Sequence, residues 1–302
     1  MSFLRRLLRA EYLWQPTQLA RRAWRIARKT NSRPSARIVL PWKFPITVDP
    51  RESIGRSIVA LNTLDLPVTE SIWRLLDPGE TCADLGANIG YMTSVMAARL
   101  QRGGKIFSFE PVPELADALR AHVRAWSSLT RATIDVRQAA LAQRSGPATI
   151  YIPASFAENR GESSLAPREG AAGHRAITVE TFRLDEIIDD ATKLSLVKID
   201  VEGFEFEVLQ GAERLLRTGQ IRDILLEEHR PFEAPSLAYL RKLGYEIFRV
   251  TRGWTGPGLN APGCRPTGEL DPPTYLATTN SARAHARFAA RGWASLRSAT
   301  GA

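Results

Sequence analysis

Cysteine is almost absent: the 302 residues hold two, Cys82 and Cys264, far apart and with no His pair near either. That excludes a disulfide framework and a tetrahedral zinc site, and it suits a reducing compartment or a fold indifferent to redox. Also missing is any uncharged apolar run near the roughly 18 residues that a membrane span needs. The Arg-rich start has neither the apolar stretch nor the small-residue cleavage site of a secretory signal. The chain is therefore expected neither to span a membrane nor to be exported, and a cytoplasmic location follows. No G-x-x-x-x-G-K-[ST] phosphate cradle, G-x-S-x-G elbow, H-E-x-x-H pair or internal repeat occurs.

Against those absences stand 44% hydrophobic, 24% charged and 8% aromatic residues, which exclude a disordered or collagen-like chain and suit a globular enzyme. One large sheet-and-helix domain with an appendage is the expected organisation. The net charge of +9 is uneven: of 41 Lys and Arg, eleven lie in residues 1–43 against Glu11 alone among the 32 acids, leaving 30 bases and 31 acids for 44–302. The basicity belongs to an arm and not to the domain behind it, which argues against a broad nucleic-acid surface. In that arm Phe3, Leu4, Leu7 and Leu8, then Leu19, Ala20, Ala23, Trp24 and Ala27, fall at helical spacing on either side of Pro16. This is the pattern of two short basic amphipathic helices. Peripheral contact with an anionic membrane is the partner expected for the arm; packing on the domain and an organelle transit peptide are the competing readings.

Pro34, Pro41 and Pro45 mark a linker, a helical pattern resumes over 54–76, and Asp77-Pro78-Gly79 stops it. The expected divisions are a basic arm at 1–43, a helical lead-in at 44–78 and the main domain at 79–302. From residue 80, short apolar strands (81–85, 105–109, 133–138, 194–199, 221–226, 245–250 and 274–278) alternate with helical stretches (91–100, 114–126, 204–216 and 237–243). Such alternation predicts an α/β fold with a parallel sheet covered on both faces. Two more strands are expected at 147–152 and 177–180, with the Ala-, Gly- and Ser-rich 154–176 between them as loop. Residues 252–273, with five Gly and five Pro, read as a second long loop, either a lid that sets Trp254 over a pocket mouth or solvated slack.

The chemistry concentrates at Asp84-Leu85-Gly86-Ala87-Asn88-Ile89-Gly90, placed at the first strand-to-helix turn, and at Glu110, twenty residues on at the end of the second strand. Glycines there let a ligand approach the backbone at a helix N-terminus, and an acid ending the second strand suits ribose hydroxyls. Any adenosine cofactor fits so far. The dinucleotide fingerprint G-x-G-x-x-G is replaced by G-x-N-x-G, however, and Asp84 puts a carboxylate where a pyrophosphate would sit. A cofactor with a cationic end resolves that conflict, and S-adenosylmethionine carries both an ammonium and a sulfonium. The bland alternative, glycines serving only helix–sheet packing with Asp84 as a cap, leaves Glu110 unexplained.

Further along stands Val197-Lys198-Ile199-Asp200-Val201-Glu202-Gly203-Phe204-Glu205, running into Val208-Leu209-Gln210-Gly211-Ala212. Taken in order over residues 79–250, the segments DLGANIGYMT, FEPVPE, AALAQRSG, ESSL, TFRLDEII, KIDVEGFEFEVLQGA and LRKLGY resemble the FkbM family of S-adenosylmethionine-dependent methyltransferases. The resemblance implies a Rossmann-like class I methyltransferase sheet of seven strands, mostly parallel with an antiparallel last strand. It implies O-methylation of a hydroxyl on a carbohydrate or other small metabolite. It further implies that Asp84, Gly86, Asn88 and Gly90 hold the methionine end of the cofactor and Glu110 the ribose, with Ala140 and Leu141 near the adenine through backbone contacts. The chain departs from the family at His122-Val123-Arg124-Ala125-Trp126, where members carry an Asn-rich helix end. Asp271-Pro272-Pro273-Thr274-Tyr275 comes near a base-methylating signature, but it precedes the last expected strand and reads as a turn.

Open parallel sheets bind ligands beyond the carboxyl ends of their strands, which puts Asp84, Glu110, Asp200 and the Glu227-Glu228-His229 run on one rim. Methyl transfer to a hydroxyl is an in-line displacement that also needs a proton removed. Asp200 is the first candidate base, with Glu202 and His229 as alternatives; Glu202 also suits the start of a helix, and His229 a loop. Lys198 is expected to pair with Asp200 or to meet substrate, His122 and His285 to be structural, and His174 to be solvated. No metal is expected. The competing functions are a nicotinamide-dependent dehydrogenase, disfavoured by Asp84 and the missing middle Gly, and an inert membrane- or nucleic-acid-binding protein on the same fold.

Overall fold

The computed structural model describes residues 34–101, 103–153, 175–230, 233–263 and 273–297. The expected arm helices, the ESSL segment, His174 and most of the 154–176 loop lie outside the described residues. Strands β1 (Ala36–Val39) and β2 (Pro45–Val48) pair antiparallel about a turn in which Lys43 takes φ 74°. Leu40, Trp42, Phe44, Ile46 and Val48 are buried in the main core, so the division expected between 43 and 44 falls inside this hairpin. Trp126 Nε1 donates to the Pro45 carbonyl at 2.7 Å. His122 Nε2 accepts from the Thr47 amide at 2.8 Å, which leaves Nδ1–H to donate to the Ile89 carbonyl at 2.8 Å. The departure at 122–126 is thereby accounted for: His122 and Trp126 hold the hairpin against the domain.

Two helices follow, α1 (Ser53–Leu61) and α2 (Leu66–Leu75). Glu52 caps the first, accepting from the Ile54 amide at 3.1 Å, and Asp65 caps the second, accepting from the Val68 amide at 3.3 Å with Pro67 in the first turn. The main domain then runs β3 (Thr81–Leu85), α3 (Tyr91–Leu100), β4 (Lys105–Phe109), α4 (Pro113–Trp126), β5 (Thr133–Arg137), β6 (Ala140–Leu141), β7 (Gly146–Ile152) and β8 (Arg175–Phe182). Its second half holds α5 (Leu184–Ile187), β9 (Leu194–Ile199), α6 (Glu205–Gly211), α7 (Glu213–Arg217), β10 (Ile221–Glu227) and α8 (Pro235–Lys242). It closes with β11 (Glu246–Gly253), β12 (Gly256–Asn260), β13 (Thr274–Thr278), α9 (Ser281–Phe288) and α10 (Ala294–Arg297).

One eight-stranded sheet results, in the order β12-β11-β13-β10-β9-β3-β4-β5, while β6, β8 and β7 form a small sheet of their own. Strands β3, β4, β5, β9 and β10 pair in parallel, and β13 lies antiparallel between β10 and β11. The central strands are buried on both faces, as a parallel sheet needs. Successive residues of β9, Leu196 and Val197, point into two different apolar clusters, one built with Val95 and Met96 of α3, the other with Leu209 of α6 and Leu237 of α8.

The strand count corrects the sequence reading, since β12 adds an eighth strand from the segment expected to be loop or lid. Gly253 and Gly256 pair across a tight turn whose tip, Trp254, is 57% exposed. Pro257 is tolerated because β12 is an edge strand, where a missing N–H need not break a ladder. At the other end of the chain, Arg74 donates to the carbonyls of Phe288, Ala290 and Gly292 and pairs with Glu70 at 2.8 Å. Glu70 in turn accepts from the Ala294 and Ser295 amides at 2.9 and 2.8 Å. This buried network docks α9 and α10 on α2.

Candidate active site

From the adjacent strands β3 and β9 the chain moves on in opposite directions across the sheet, to β4 and to β10, so a crevice opens at their carboxyl ends. A cavity of about 350 Å³ occupies it, within the range of roughly 300–1,000 Å³ usual for small-molecule sites. Gly86, on its floor, takes φ 78°, and a Cβ there would stand 1.9 Å from the Asp200 carbonyl oxygen. The two strand ends approach this closely because Gly86 has no side chain. Gly90, at φ 90°, is different: a Cβ on it would meet Leu119 Cδ1 at 2.3 Å, so this glycine serves the packing of α3 on α4. Of the residues expected around the cofactor, Gly86, Asn88, Glu110, Ala140 and Leu141 line the cavity, whereas Asp84 and Gly90 stand behind it.

Asp84 is fully buried. Its Oδ2 accepts from Thr93 Oγ1 at 2.6 Å, while Oδ1 has no hydrogen-bond partner and lies 3.7 Å from Lys198 Nζ. Lys198 is the register partner of Asp84 on the neighbouring strand, and its Nζ also reaches Asp200 Oδ2 at 3.2 Å and the Gly86 carbonyl at 3.1 Å. The cation that Asp84 requires is therefore the chain's own Lys198, not a group in the cavity. Burial pushes the Asp84 carboxyl up, against the pull of Lys198. For Lys198 burial acts downward, but Asp200 and Asp84 outweigh it and raise the ammonium above its ordinary range.

Glu110 accepts from two amides, Asn88 N at Oε2 (2.8 Å) and Val112 N at Oε1 (2.9 Å). Burial nonetheless pushes its carboxyl up to about 7. Each oxygen retains a second lone pair for a ligand hydroxyl. Asp200 and Glu202, the latter at φ 54°, line the same cavity. His229 does not: its ring is 70% exposed, and among the described residues it meets the site through Glu227, whose Oε1 lies 2.7 Å from Nε2. Glu228 is turned aside to Arg230 at 2.9 Å.

Two more acids line the cavity, Glu227, which the sequence places on the rim without a role, and Asp65, which it misses. Glu227 carries a signal, being the last residue of β10 beside the strand that ends in Asp200. Asp65 carries only the cap pattern Asp-Leu-Pro and reaches the cavity because the lead-in, with Ile54 and Leu64, forms part of its wall. Burial first, then Asp200 and Asp65, pushes the Glu227 carboxyl up to about 8. Among the described residues no group of His, Cys, Asp and Glu is arranged to hold a metal ion.

An antiparallel strand slotted between the two outermost parallel-running ones, beyond a crevice floored by the first strand-to-helix turn, is how class I S-adenosylmethionine-dependent methyltransferases are built, and this sheet defines that class. The family model of the methyltransferase FkbM domain matches residues 84–247. The chain belongs to this family and is a methyltransferase with S-adenosylmethionine as its cofactor, which sets aside the dehydrogenase reading. It is 28% identical over 197 residues to the hexuronic acid methyltransferase AglP of Haloferax volcanii, covering 62% of this chain and 75% of that protein. To the methyltransferase sdnD of Sordaria araneosa it is 26% identical over 203 residues, covering 57% of this chain and 75% of that one. Among solved structures, an S-adenosylmethionine-dependent O-methyltransferase from Thermotoga maritima aligns with a TM-score of 0.41 at 14% identity, over 78% of this chain and 73% of that one.

Proposed function

We propose that the protein transfers the methyl group of S-adenosylmethionine to a hydroxyl of a carbohydrate or similar small metabolite. The observation that supports this best is the disposition of carboxylates, with Glu110 inside the cavity and Asp65, Asp200, Glu202 and Glu227 also in its lining. Such a cavity suits a cofactor with cationic groups, and carboxylates are the acceptors that a polyhydroxy ligand needs. Similarity to a protein named for hexuronic acid favours a sugar acceptor.

In this reading Gly86 and Asn88 hold the methionine end, the close backbone at Gly86 replacing a side chain, and Glu110 binds the ribose hydroxyls. The backbone at Ala140 and Leu141 flanks the adenine. Asp84 and Gly90 act from behind, the first by fixing Lys198, the second by setting the start of α3. Bound S-adenosylmethionine supplies a methyl group on a sulfonium. Asp200, held by Lys198, orients the acceptor hydroxyl, and Glu202 takes a neighbouring one. Incubation with isotope-labelled S-adenosylmethionine and a panel of methyl glycosides, read by mass spectrometry, is expected to yield labelled methyl ethers. Calorimetry that detects NAD but not S-adenosylhomocysteine refutes the reading.

The basic arm is proposed to contact the anionic inner face of a membrane. Nine of its eleven Lys and Arg lie in residues 1–33, ahead of the hairpin, and each is worth about 1 kcal/mol near an anionic leaflet. No helix among the described residues is long and apolar enough to cross a membrane.

A further inference from the structure

Building on the hydroxyl-methylation reading above, we propose that Glu227 takes the proton from the acceptor hydroxyl and that His229 passes it to solvent. Three of the other acids of the cavity already hold partners. Glu110 spends both oxygens on amides, Asp200 Oδ2 is held by Lys198, and Asp65 Oδ1 caps α2. Glu227 stands beside Asp200 at the same rim, because Leu226 is the register partner of Ile199. Its side chain is 22% exposed, and only Oε1 is engaged, by His229; Oε2 takes no hydrogen bond from the described residues. The ring of His229, 70% exposed, joins that carboxylate to bulk water.

As the acceptor oxygen bonds to the methyl carbon, the C–S bond breaks with its electron pair left on sulfur. The O–H bond breaks with its pair left on oxygen, and the proton goes to the Glu227 carboxylate. From there it moves to His229 Nε2 when the exposed ring is in its Nδ1–H tautomer, Nε2 then being unprotonated; the ring releases the Nδ1 proton to water, and exchange with water restores the tautomer. The groups that face Glu227 are Lys198 and Asp200 of β9 and its end, Glu202 of the following turn, Asp65 before α2, and His229 on its own strand end. On the other side β13 presents Thr274, which does not titrate. Burial and the acids outweigh Lys198 and carry the carboxyl to about 8, the strength that serves a general base near neutral pH.

The test uses the full chain labelled with carboxyl-13C glutamate, the Glu227 resonance being the one lost in Glu227→Gln. Its expected midpoint lies near 8, falling when a cofactor analogue with an amine in place of the sulfonium is added. On the methyl glycoside that the wild type methylates, kcat rises with pH through the lowered midpoint of the cofactor-bound enzyme, since the base must be ionised. Glu227→Gln is expected to lower kcat by about 10²–10⁴-fold with little change in KM and to remove that limb. His229→Gln lowers kcat less and is rescued by added imidazole. A Glu227 carboxyl that titrates in the ordinary range and ignores the amine analogue overturns the proposal, as does wild-type turnover by Glu227→Gln. If the wild type methylates no glycoside while Glu227 titrates near 8 and responds to the amine, the carbohydrate reading fails and the assignment of Glu227 is supported.

Discussion

Replacing Lys198 by Met removes the ammonium that lies between Asp84 and Asp200 while keeping most of the volume of its stem. Two unit charges 3.7 Å apart attract by about 4 kcal/mol at an effective dielectric near 20. Asp84 is fully buried and its Oδ1 has no hydrogen bond to fall back on. Removing one partner of such a pair costs about 3–5 kcal/mol, because the other charge is left uncompensated. The pairing with Asp200 adds little, that side chain being 38% exposed and screened by solvent. The Asp84 carboxyl is already raised above its ordinary 3.8 in the folded protein, and loss of Lys198 raises it further. An acid raised on folding contributes stability below its unfolded value and loses it as pH climbs through the folded one. The deficit of the variant should therefore be small in acid and grow toward pH 8. Urea titrations at pH 5 and pH 8, followed by tryptophan fluorescence and compared at equal m, measure it. Asp84→Asn combined with Lys198→Met is expected to recover most of the loss. A deficit under about 1 kcal/mol at pH 8, the range of exposed pairs, or a double variant no better than the single one, refutes the account.

Gly86→Ala adds a Cβ 1.9 Å from the Asp200 carbonyl in a left-handed backbone, a strain of about 1–2 kcal/mol before any overlap is relieved; loss of S-adenosylhomocysteine binding in calorimetry is expected, and retained affinity refutes it. Glu110→Gln sets an NH2 against one of two buried amides and should weaken that binding by about 1–3 kcal/mol. Carrying the Glu110 carboxyl from 4.5 to about 7 makes wild-type stability fall between those pH values, by on the order of 3 kcal/mol at about 1.4 kcal/mol per pH unit; the Gln variant should lack this slope in pH-resolved unfolding. Full-length protein should sediment with anionic vesicles and be released by salt, whereas a chain starting at Pro34 should stay in solution with its circular dichroism intact. Equal sedimentation of both chains rejects the membrane contact.

Most strands were legible one by one. Segments such as Thr81–Leu85 and Leu194–Ile199 are short, mostly apolar runs between polar turns, and a parallel-sheet strand buried on both faces reads as such a run, its shortness setting it apart from a buried helix. β12 was not legible, because Gly-Pro-Gly looks like a breaker until its place at a sheet edge is known. The motif Asp84 to Gly90 marked the right turn, but it made its two outer glycines look alike. One is needed against the Asp200 carbonyl and the other against Leu119, neighbours that come from residues far along the chain.

What the sequence by itself determined is local: where apolar periodicity makes strands and helices, where glycine permits a positive φ, and that Asp84 needs a cation. Which cation answers it was decided by register, since Asp84 of β3 and Lys198 of β9 are far apart in the chain yet stand opposite each other on neighbouring strands. The same holds for Asp65, brought to the cavity by the lead-in, and for the choice within the Glu227-Glu228-His229 run, where Glu227 lines the cavity while His229 faces water. Backbone preference acts over a few bonds and is written in neighbouring residues. Charge pairing and burial act through space, and only the order and register of the strands bring those side chains within reach.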